Sequence, residues 1–201
     1  MQYRDISHET QDTYTLGKNE QMVFFILNRT GDITIELAGS GATAHVFALY
    51  SGKGNLKQSL TLTQKHLAPD TVSSVLVKAA LAGSSSFAYD GAILIDTAAH
   101  RSDASQESRA LLLSADARAA ARPTLEILAH DVRCHHAATT APLSEEALFF
   151  AQSRGLSRQS AHGLLIHGFF QEALEQMEKL GIETTLAQEK LLSFGFSNSR
   201  E

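Results

Sequence analysis

The sequence predicts a mainly β protein that ends in a small helical domain. From Met22 to about residue 140, apolar and polar residues alternate with a period of two, which is typical of strands with one buried face. After Pro142 the apolar spacing changes to about 3.6 residues, the period of an amphipathic helix. We therefore expect a polar N-terminal segment over residues 1–21, a β core over residues 22–142 and a helical domain over residues 143–201.

The alternation occurs in five runs that are separated by clusters of turn-forming residues. The apolar members of the runs are Ile33, Ile35 and Leu37; Leu60 and Leu62; Val75, Val77, Ala79 and Leu81; Phe87, Tyr89, Ile93 and Ile95; and Leu125 and Ile127. Glycine and serine clusters, such as residues 39–41 and 83–86, favour the turns between them. Strand centres recur roughly every 13–18 residues with no helical crossover, which fits either a β-sandwich or a β-solenoid.

Three helices are predicted after Pro142, each with a recognisable beginning. The predicted N-terminal residues are Ser144, Ser157 and Thr185, and the predicted C-terminal glycines are Gly155 and Gly181. Thr185 with Gln188 resembles a capping box. The predicted apolar face of the second helix consists of Ala161, Leu164, Leu165, Gly168, Phe169, Leu174 and Met177.

Composition limits the function classes. The chain has 201 residues, a formal net charge of −5 and no basic block, so we expect no nucleic-acid partner. Its one cysteine excludes an intrachain disulfide and suits a reducing compartment. The N-terminus is polar and no apolar run approaches the ~20 residues that a membrane span needs, so we expect a cytoplasmic protein without a membrane partner.

Motifs for catalysis are absent from the sequence. It contains no Gly-x-Ser-x-Gly elbow and no Gly-x-x-x-x-Gly-Lys-Ser/Thr loop. The glycine pairs at residues 39/41 and 52/54 lack the third glycine and the following helix of a dinucleotide site. We therefore expect a protein that is not an enzyme.

The segment from His130 to His136 holds three histidines and the only cysteine. In an extended conformation His130, Cys134 and His136 share one face and His135 lies on the other. Cys134 and His136 would then be about 6.6 Å apart along the strand and could bind one metal together. A closed zinc or iron–sulfur site usually has about four ligands, so the others would come from elsewhere. Alternatively, the histidines are solvated strand-end residues and Cys134 is a small buried apolar residue.

Four stretches of the chain resemble the SufB/SufD family. Residues 122–139 read RPTLEILAHDVRCHHAAT, similar to the family pattern K-P-x-L-E-I-x-x-x-D-V-x-C-x-H-G-A-T. Residues 143–156 read LSEEALFFAQSRGL, similar to L-D-E-E-A-L-F-Y-L-x-S-R-G-I. Residues 102–106 (SDASQ) and 111–114 (LLLS) resemble T-D-A-x-Q and L-L-L-S. The similarity covers about residues 39–177, and the chain is identified as a short, SufD-like member of the family.

The resemblance implies a fold and a function for the chain. It implies a right-handed parallel β-helix followed by a small helical domain, which favours the solenoid over the sandwich. It also implies a scaffold for transient iron–sulfur clusters, which pairs with a SufB-like subunit or a second copy through the β-helix. The C-terminal helices would bind a SufC-like ATPase. The family's histidine at the cluster site corresponds to His136, with Cys134 two residues before it, while His130 and His135 are weaker candidates.

Two other functions remain open from the sequence. The chain could be a structural adaptor that binds the ATPase and no metal. It could also be a small zinc-binding protein that uses His130, Cys134 and His136.

Overall fold

The computed structural model describes residues 1–192, and the chain divides into two units at residues 140/141. Residues 193–201 of the predicted helical domain lie outside the described residues. The first unit contains β1 (Gln2–Asp5), β2 (Thr13–Leu16), β3 (Gln21–Leu27), β4 (Gly31–Leu37), β5 (Thr43–Gly52), β6 (Lys57–His66), β7 (Val72–Leu81), β8 (Ser86–Ile95), β9 (Asp103–Leu112) and β10 (Arg118–Ile127). β11 (Arg133–Pro142) follows at the boundary, and the second unit contains α1 (Glu145–Ser153), α2 (Arg158–Lys179) and α3 (Thr185–Leu192).

The strands form a β-solenoid, as the resemblance implied. Odd-numbered strands form one sheet in the order β1-β3-β5-β7-β9-β11, and even-numbered strands form the other in the order β10-β8-β6-β4-β2. Neighbouring strands are parallel, for example β5 with β7 and β6 with β8. The chain therefore passes alternately between two sheets, and each coil stacks on the one before it. A sandwich of antiparallel strands is excluded for this part of the chain.

Strands begin before Met22, which corrects the expectation that residues 1–21 lie outside the β structure. β1 and β2 pair in parallel with β3 and β4, and Tyr14 and Leu16 are buried in the core. The buried Arg29 guanidinium donates to the Ile6 carbonyl at 3.0 Å and to the Tyr14 hydroxyl at 3.0 Å. These first strands have only four residues each, too few for alternation to be recognised in the sequence.

Two of the longer strands, β3 and β9, also lack an apolar pattern with a period of two. Phe24 and Ile26 of β3 belong to the core cluster, while Val23 and Phe25 of the same strand are buried as well. A strand buried on both faces reads as a continuous apolar run. In β9 the core side instead carries small or polar residues such as Gln106, so the apolar alternation is lost there.

The helix ends match the sequence prediction at most positions. Ser144 accepts a hydrogen bond from the Ala147 amide at 3.1 Å, and Ser157 accepts one from the Ser160 amide at 3.0 Å. Gly155 and Gly181 follow the helices with φ of 92° and 80°, the left-handed conformation that glycine favours. α3 begins one residue after Thr184 rather than after the predicted Thr185. The Thr184 hydroxyl accepts a hydrogen bond from the side-chain Nε2 of Gln188 at 3.3 Å, and the Thr184 carbonyl accepts one from the Gln188 backbone amide at 2.8 Å.

The buried face of α2 agrees with the prediction only in part, because Ala161, Leu174 and Met177 are buried as expected but other predicted members are not. Leu164 and Gly168, both assigned to the apolar face, are exposed, and Phe169 is only half-buried. The buried residues are Ala161, Ile166, Phe170, Ala173, Leu174 and Met177. Two consecutive phenylalanines fit either face of a helix by spacing, so packing rather than periodicity selects Phe170. Within the described residues, the helices are too short or too polar to cross a membrane.

His66 leads to a prediction about stability and pH. The side chain is fully buried between the hydroxyls of Thr71 (Nδ1, 2.7 Å) and Ser73 (Nε2, 2.8 Å), and burial lowers its pKa to about 4. Below the unfolded pKa of about 6.5 the unfolded chain binds a proton that the native state does not. The free energy of unfolding should therefore fall as the pH falls from about 6.5 towards 4, by about 2–3 kcal/mol from this group.

Urea unfolding at pH 7 and at pH 4.5 measures this effect. We expect His66→Gln to have a smaller pH dependence than the native chain, whatever its absolute stability. Part of the pH dependence of the free energy of unfolding should persist in His66→Gln, because burial also lowers the pKa of His45. An equal change in both proteins would contradict the assignment.

Candidate functional site

The histidine- and cysteine-containing segment forms β11, the last strand of its sheet. The Arg133 amide donates to the Ser102 carbonyl at 2.9 Å. The Asp103 amide makes the equivalent bond to the Thr71 carbonyl at 2.9 Å, in the coil where Val72 is paired with Asp103. The same register places Arg133 beside Asp103, and their side chains approach to 4.0 Å.

Cys134 and His136 both face the interior of the last coil. In this register Cys134 lies beside Ala104, and it packs against the core cluster that contains Ala104 and Ile95. His136 lies beside Gln106, is half-buried, and has its Nδ1 atom enclosed without a hydrogen-bond partner among the described residues. Residues two positions apart on one strand lie on the same face about 6.6 Å from each other, so their side chains can bind a common group.

The structure separates the other two candidates from this pair. His130 lies in the bend before β11 and is exposed, so it does not continue the strand face that an extended segment would give it. His135 is exposed on the opposite face of β11 from Cys134 and His136. The described residues contain no group of three or more His, Cys, Asp or Glu side chains placed to hold a metal ion. The pair is therefore an incomplete ligand set by itself.

The environment determines the protonation of the pair. Burial, followed by the neighbouring His135, lowers the pKa of His136, so its ring is neutral at pH 7 and retains one lone pair for a ligand. Burial and the negative charge of Asp103 raise the pKa of the Cys134 thiol. Cys134 is thus protonated at pH 7 and must lose its proton when it binds a metal.

The site lies at an open end of the solenoid. β10 and β11 are the terminal strands of their sheets, so each has one free edge in the described chain. Leu125 and Ile127 of β10 pair with Ile93 and Ile95, which are buried in the core. They lie on the same face as those isoleucines, yet they are 48% and 40% exposed. We call this surface of Leu125, Ile127, Cys134 and His136 the open end.

Sequence reasoning predicted part of the open end and missed the rest. It identified the apolar alternation of Leu125 and Ile127 but expected burial, because alternation does not reveal which coil is last. It gave no role to Gln106, the neighbour of His136. The only sequence signal for Gln106 was its position in residues 102–106 (SDASQ). That stretch was matched to a family pattern but was not assigned a role.

The helical unit carries a second candidate site. An apolar hollow of about 520 Å³ lies between α1 and α2, lined in part by Ala147, Phe150, Leu156 and Leu164. Phe150 is 58% exposed, and the Arg154 guanidinium lies 4.1 Å from the centre of its ring. Large apolar side chains grouped around a hollow on a surface are typical of protein interaction sites.

Comparison with known proteins agrees with the motifs. The family described as "SUF system FeS cluster assembly, SufBD core domain" matches residues 18–169. A SufBD family iron–sulfur cluster assembly protein of Mycobacterium leprae is 28% identical over 186 residues, covering 86% of this chain and 47% of the relative. The SufD protein of Bacillus subtilis is 29% identical over 153 residues, covering 76% of this chain and 35% of the relative.

A plant relative shows the same similarity. The chloroplastic protein ABCI7 of Arabidopsis thaliana is 36% identical over 123 residues, covering 60% of this chain and 26% of the relative. The chain spans less than half the length of each of these three proteins. The family match includes β3 to β11 and most of the first two helices, and with it the open end. The chain belongs to the SufB/SufD family of the SUF system for iron–sulfur cluster assembly.

Proposed function

We propose that this chain is a non-catalytic scaffold subunit on which iron–sulfur clusters are assembled and then passed on. The cluster is the cargo of the scaffold. It is held where the open end meets a second scaffold subunit, either a SufB-like protein or another copy of this chain. The helical unit binds a SufC-like ATPase. Family membership supports the general role, and the geometry of the open end supports the location.

The observation that carries the proposal is an incomplete ligand pair on the exposed final coil. Cys134 and His136 provide two of the roughly four ligands that an iron–sulfur cluster usually has. Both lie on the exposed final coil rather than in the middle of the solenoid. A second subunit that covers this coil would bring the missing ligands and would also exclude water from the cluster.

The open end has the physical properties of a protein interface. Leu125 and Ile127 expose apolar surface on the core side of β10. The free edges of β10 and β11 offer backbone donors and acceptors to another strand. Adding a coil or a strand from a partner would bury the leucine and isoleucine and pair the edge.

The adaptor function is the second candidate, and one observation favours it. The described residues bring together no complete metal site. An adaptor would use the open end and the helical hollow for binding alone. The zinc-protein alternative loses support, because His130 and His135 do not join Cys134 and His136 on one face.

Anaerobic reconstitution distinguishes the scaffold from the adaptor. The complex of this chain with the host's SufB-like and SufC-like proteins would be loaded with iron and sulfide and followed by visible absorbance. We expect Cys134→Ala and His136→Ala each to lower cluster affinity by at least about tenfold, since even the loss of an outer-shell partner costs ~10–100-fold. His135→Ala is the matched control, because it removes an exposed imidazole from the other face. Unchanged loading in both single variants would reject the ligand pair and favour the adaptor.

A substitution at the apolar surface tests the interface. Leu125→Lys places a charge on the surface that the partner would cover, and burying an unpaired charge is strongly unfavourable. We expect the dissociation constant for the second scaffold subunit to rise at least about tenfold, equivalent to about 1.4 kcal/mol. Leu56→Lys is the control, because Leu56 is 47% exposed but lies in the turn before β6. Equal binding by the Leu125 and Leu56 variants in sedimentation or calorimetry would place the interface elsewhere.

A substitution in the hollow tests binding of the ATPase. Phe150→Asp removes the exposed aromatic ring, and interface aromatic residues often contribute more than 2 kcal/mol. We expect binding of the SufC-like ATPase to weaken by more than about tenfold. The helix content should be unchanged, because the ring is mostly exposed. Leu186→Asp on α3, at a similarly exposed leucine, provides the control, and its affinity should match the native value. Native affinity in the Phe150 variant would remove the hollow from the binding surface.

A further inference from the structure

The interior of the solenoid contains buried polar side chains, and one of them, Gln106, lies beside the open end. In β3 the core side carries Phe24 and Ile26, whereas in β9 it carries Gln106. Gln106 is only 1% exposed, yet neither its Oε1 nor its Nε2 atom has a hydrogen-bond partner of normal geometry in the described chain. A buried amide without hydrogen-bond partners is destabilising, so the position of Gln106 requires an explanation.

Gly91 provides the space that the Gln106 side chain occupies. A Cβ atom at Gly91 would lie 1.5 Å from Gln106 Nε2 and 2.6 Å from the Tyr89 hydroxyl oxygen. The carboxamide of Gln106 therefore reaches from β9 across the interior to β8, which only a residue without a side chain permits. Burial raises the pKa of the Tyr89 phenol, and the nearby Gln106 side chain acts in the opposite direction, so the two side chains interact.

His136 presents a second unsatisfied atom to the same interior. The register of β9 and β11 places His136 beside Gln106 with both side chains on the core face. The Nδ1 atom of His136 is buried and has no partner in the described residues. A buried imidazole nitrogen and a buried carboxamide on paired positions can satisfy each other through one enclosed water.

We propose that Gln106 is a positioning residue for His136. The Gln106 Oε1 atom accepts a hydrogen bond that originates at Nδ1–H of His136 and passes through one internal water, because the two atoms make no direct bond. This bond fixes the tautomer in which Nε2 is unprotonated and free for an external ligand. The carboxamide oxygen has two lone pairs, so it can also accept from the Tyr89 hydroxyl. The consequence for cluster binding rests on the proposed function, but the tautomer itself does not.

A neutral histidine has two ring nitrogens, and only one of them carries a proton. Only an unprotonated nitrogen binds a metal, and the hydrogen bond at the other nitrogen selects which one that is. Without an acceptor at Nδ1, an imidazole prefers the proton on Nε2, which would block the accessible nitrogen. An acceptor held inside the coil therefore fixes the tautomer of the His136 ring before any ligand binds.

Two-bond proton–nitrogen NMR of histidine-labelled full-length protein measures the tautomer. At pH 8 the ring is neutral, and His136→Gln identifies its signals among the nine histidines. We expect the Nδ1–H pattern for His136 in the native chain and a reversal towards Nε2–H in Gln106→Met, which keeps the volume and removes the acceptor. Gln58→Met, at another buried glutamine paired on β8 with Phe87, should leave the His136 pattern unchanged.

The same variants connect the tautomer to function. In the reconstituted complex, Gln106→Met should lower cluster affinity by about 10–100-fold, as the loss of an outer-shell partner usually does. An Nε2–H pattern in the native protein overturns the inference without any variant, even where Gln106→Met fails to fold. An unchanged tautomer in a folded Gln106→Met protein overturns it too. A tautomer that responds to Gln106→Met while His136→Ala leaves cluster loading intact upholds the positioning role and rejects the ligand role.

Discussion

Parallel pairing between successive coils is the constraint on which the rest of the structure depends. Each internal strand has its backbone groups satisfied by a strand on either side, and its core-facing residues stack on those of its neighbours. The final coil has a neighbour on one side only. Leu125 and Ile127 are exposed for this reason, although they occupy the same positions as the buried Ile93 and Ile95 one coil earlier. The location of the candidate site thus follows from the architecture.

Buried polar side chains in the solenoid interior differ in whether their hydrogen bonds are satisfied. His66 is buried, but both ring nitrogens are satisfied by the hydroxyls of Thr71 and Ser73. Gln106 and His136 are different, because their buried polar atoms have no such partners in the described chain. Conflicts between burial and hydrogen bonding are expected to concentrate at functional sites, where another interaction offsets their cost. Gln106 and His136 lie together beside a free strand edge, whereas other buried atoms without a partner, such as Gln58 Oε1 and Gln64 Oε1, lie on β6.

Sequence patterns predicted the parts of the fold in which one face is apolar and the other is not. β4, β6 and β8 follow this rule, whereas β7 has the predicted core face but is buried on its other face as well. The helix caps at Ser144 and Ser157 have their own local signal. The pairing of coils could not be predicted in the same way, because the coils differ in length. Paired residues are 20 positions apart between Gln2 and Met22 but 31 apart between Val72 and Asp103. A sandwich and a solenoid therefore share one alternation pattern, and only the family motifs favoured the solenoid.

Only the part of the candidate site that depends on the geometry of a single strand could be predicted from the sequence. Two residues at alternate positions share a face in any strand, so Cys134 and His136 could be paired from the sequence, whereas the bend that exposes His130 could not be foreseen. A buried glutamine such as Gln106 gives no hydrophobic signal, and its neighbour depends on a register set 30 residues away.

A divided ligand set suits a scaffold better than a complete one would. A site with four ligands from a single chain holds its metal tightly, because metal binding is then coupled to the folding of that chain. With two ligands on this chain, the stability of the cargo depends on a second surface remaining in contact. The raised pKa of Cys134 acts in the same direction, because reprotonation of the thiol competes with the metal once the contact opens. Under the proposed function, the association of subunits therefore controls the assembly and release of the cluster. This requires the open end to have an exposed apolar surface and an incomplete ligand set.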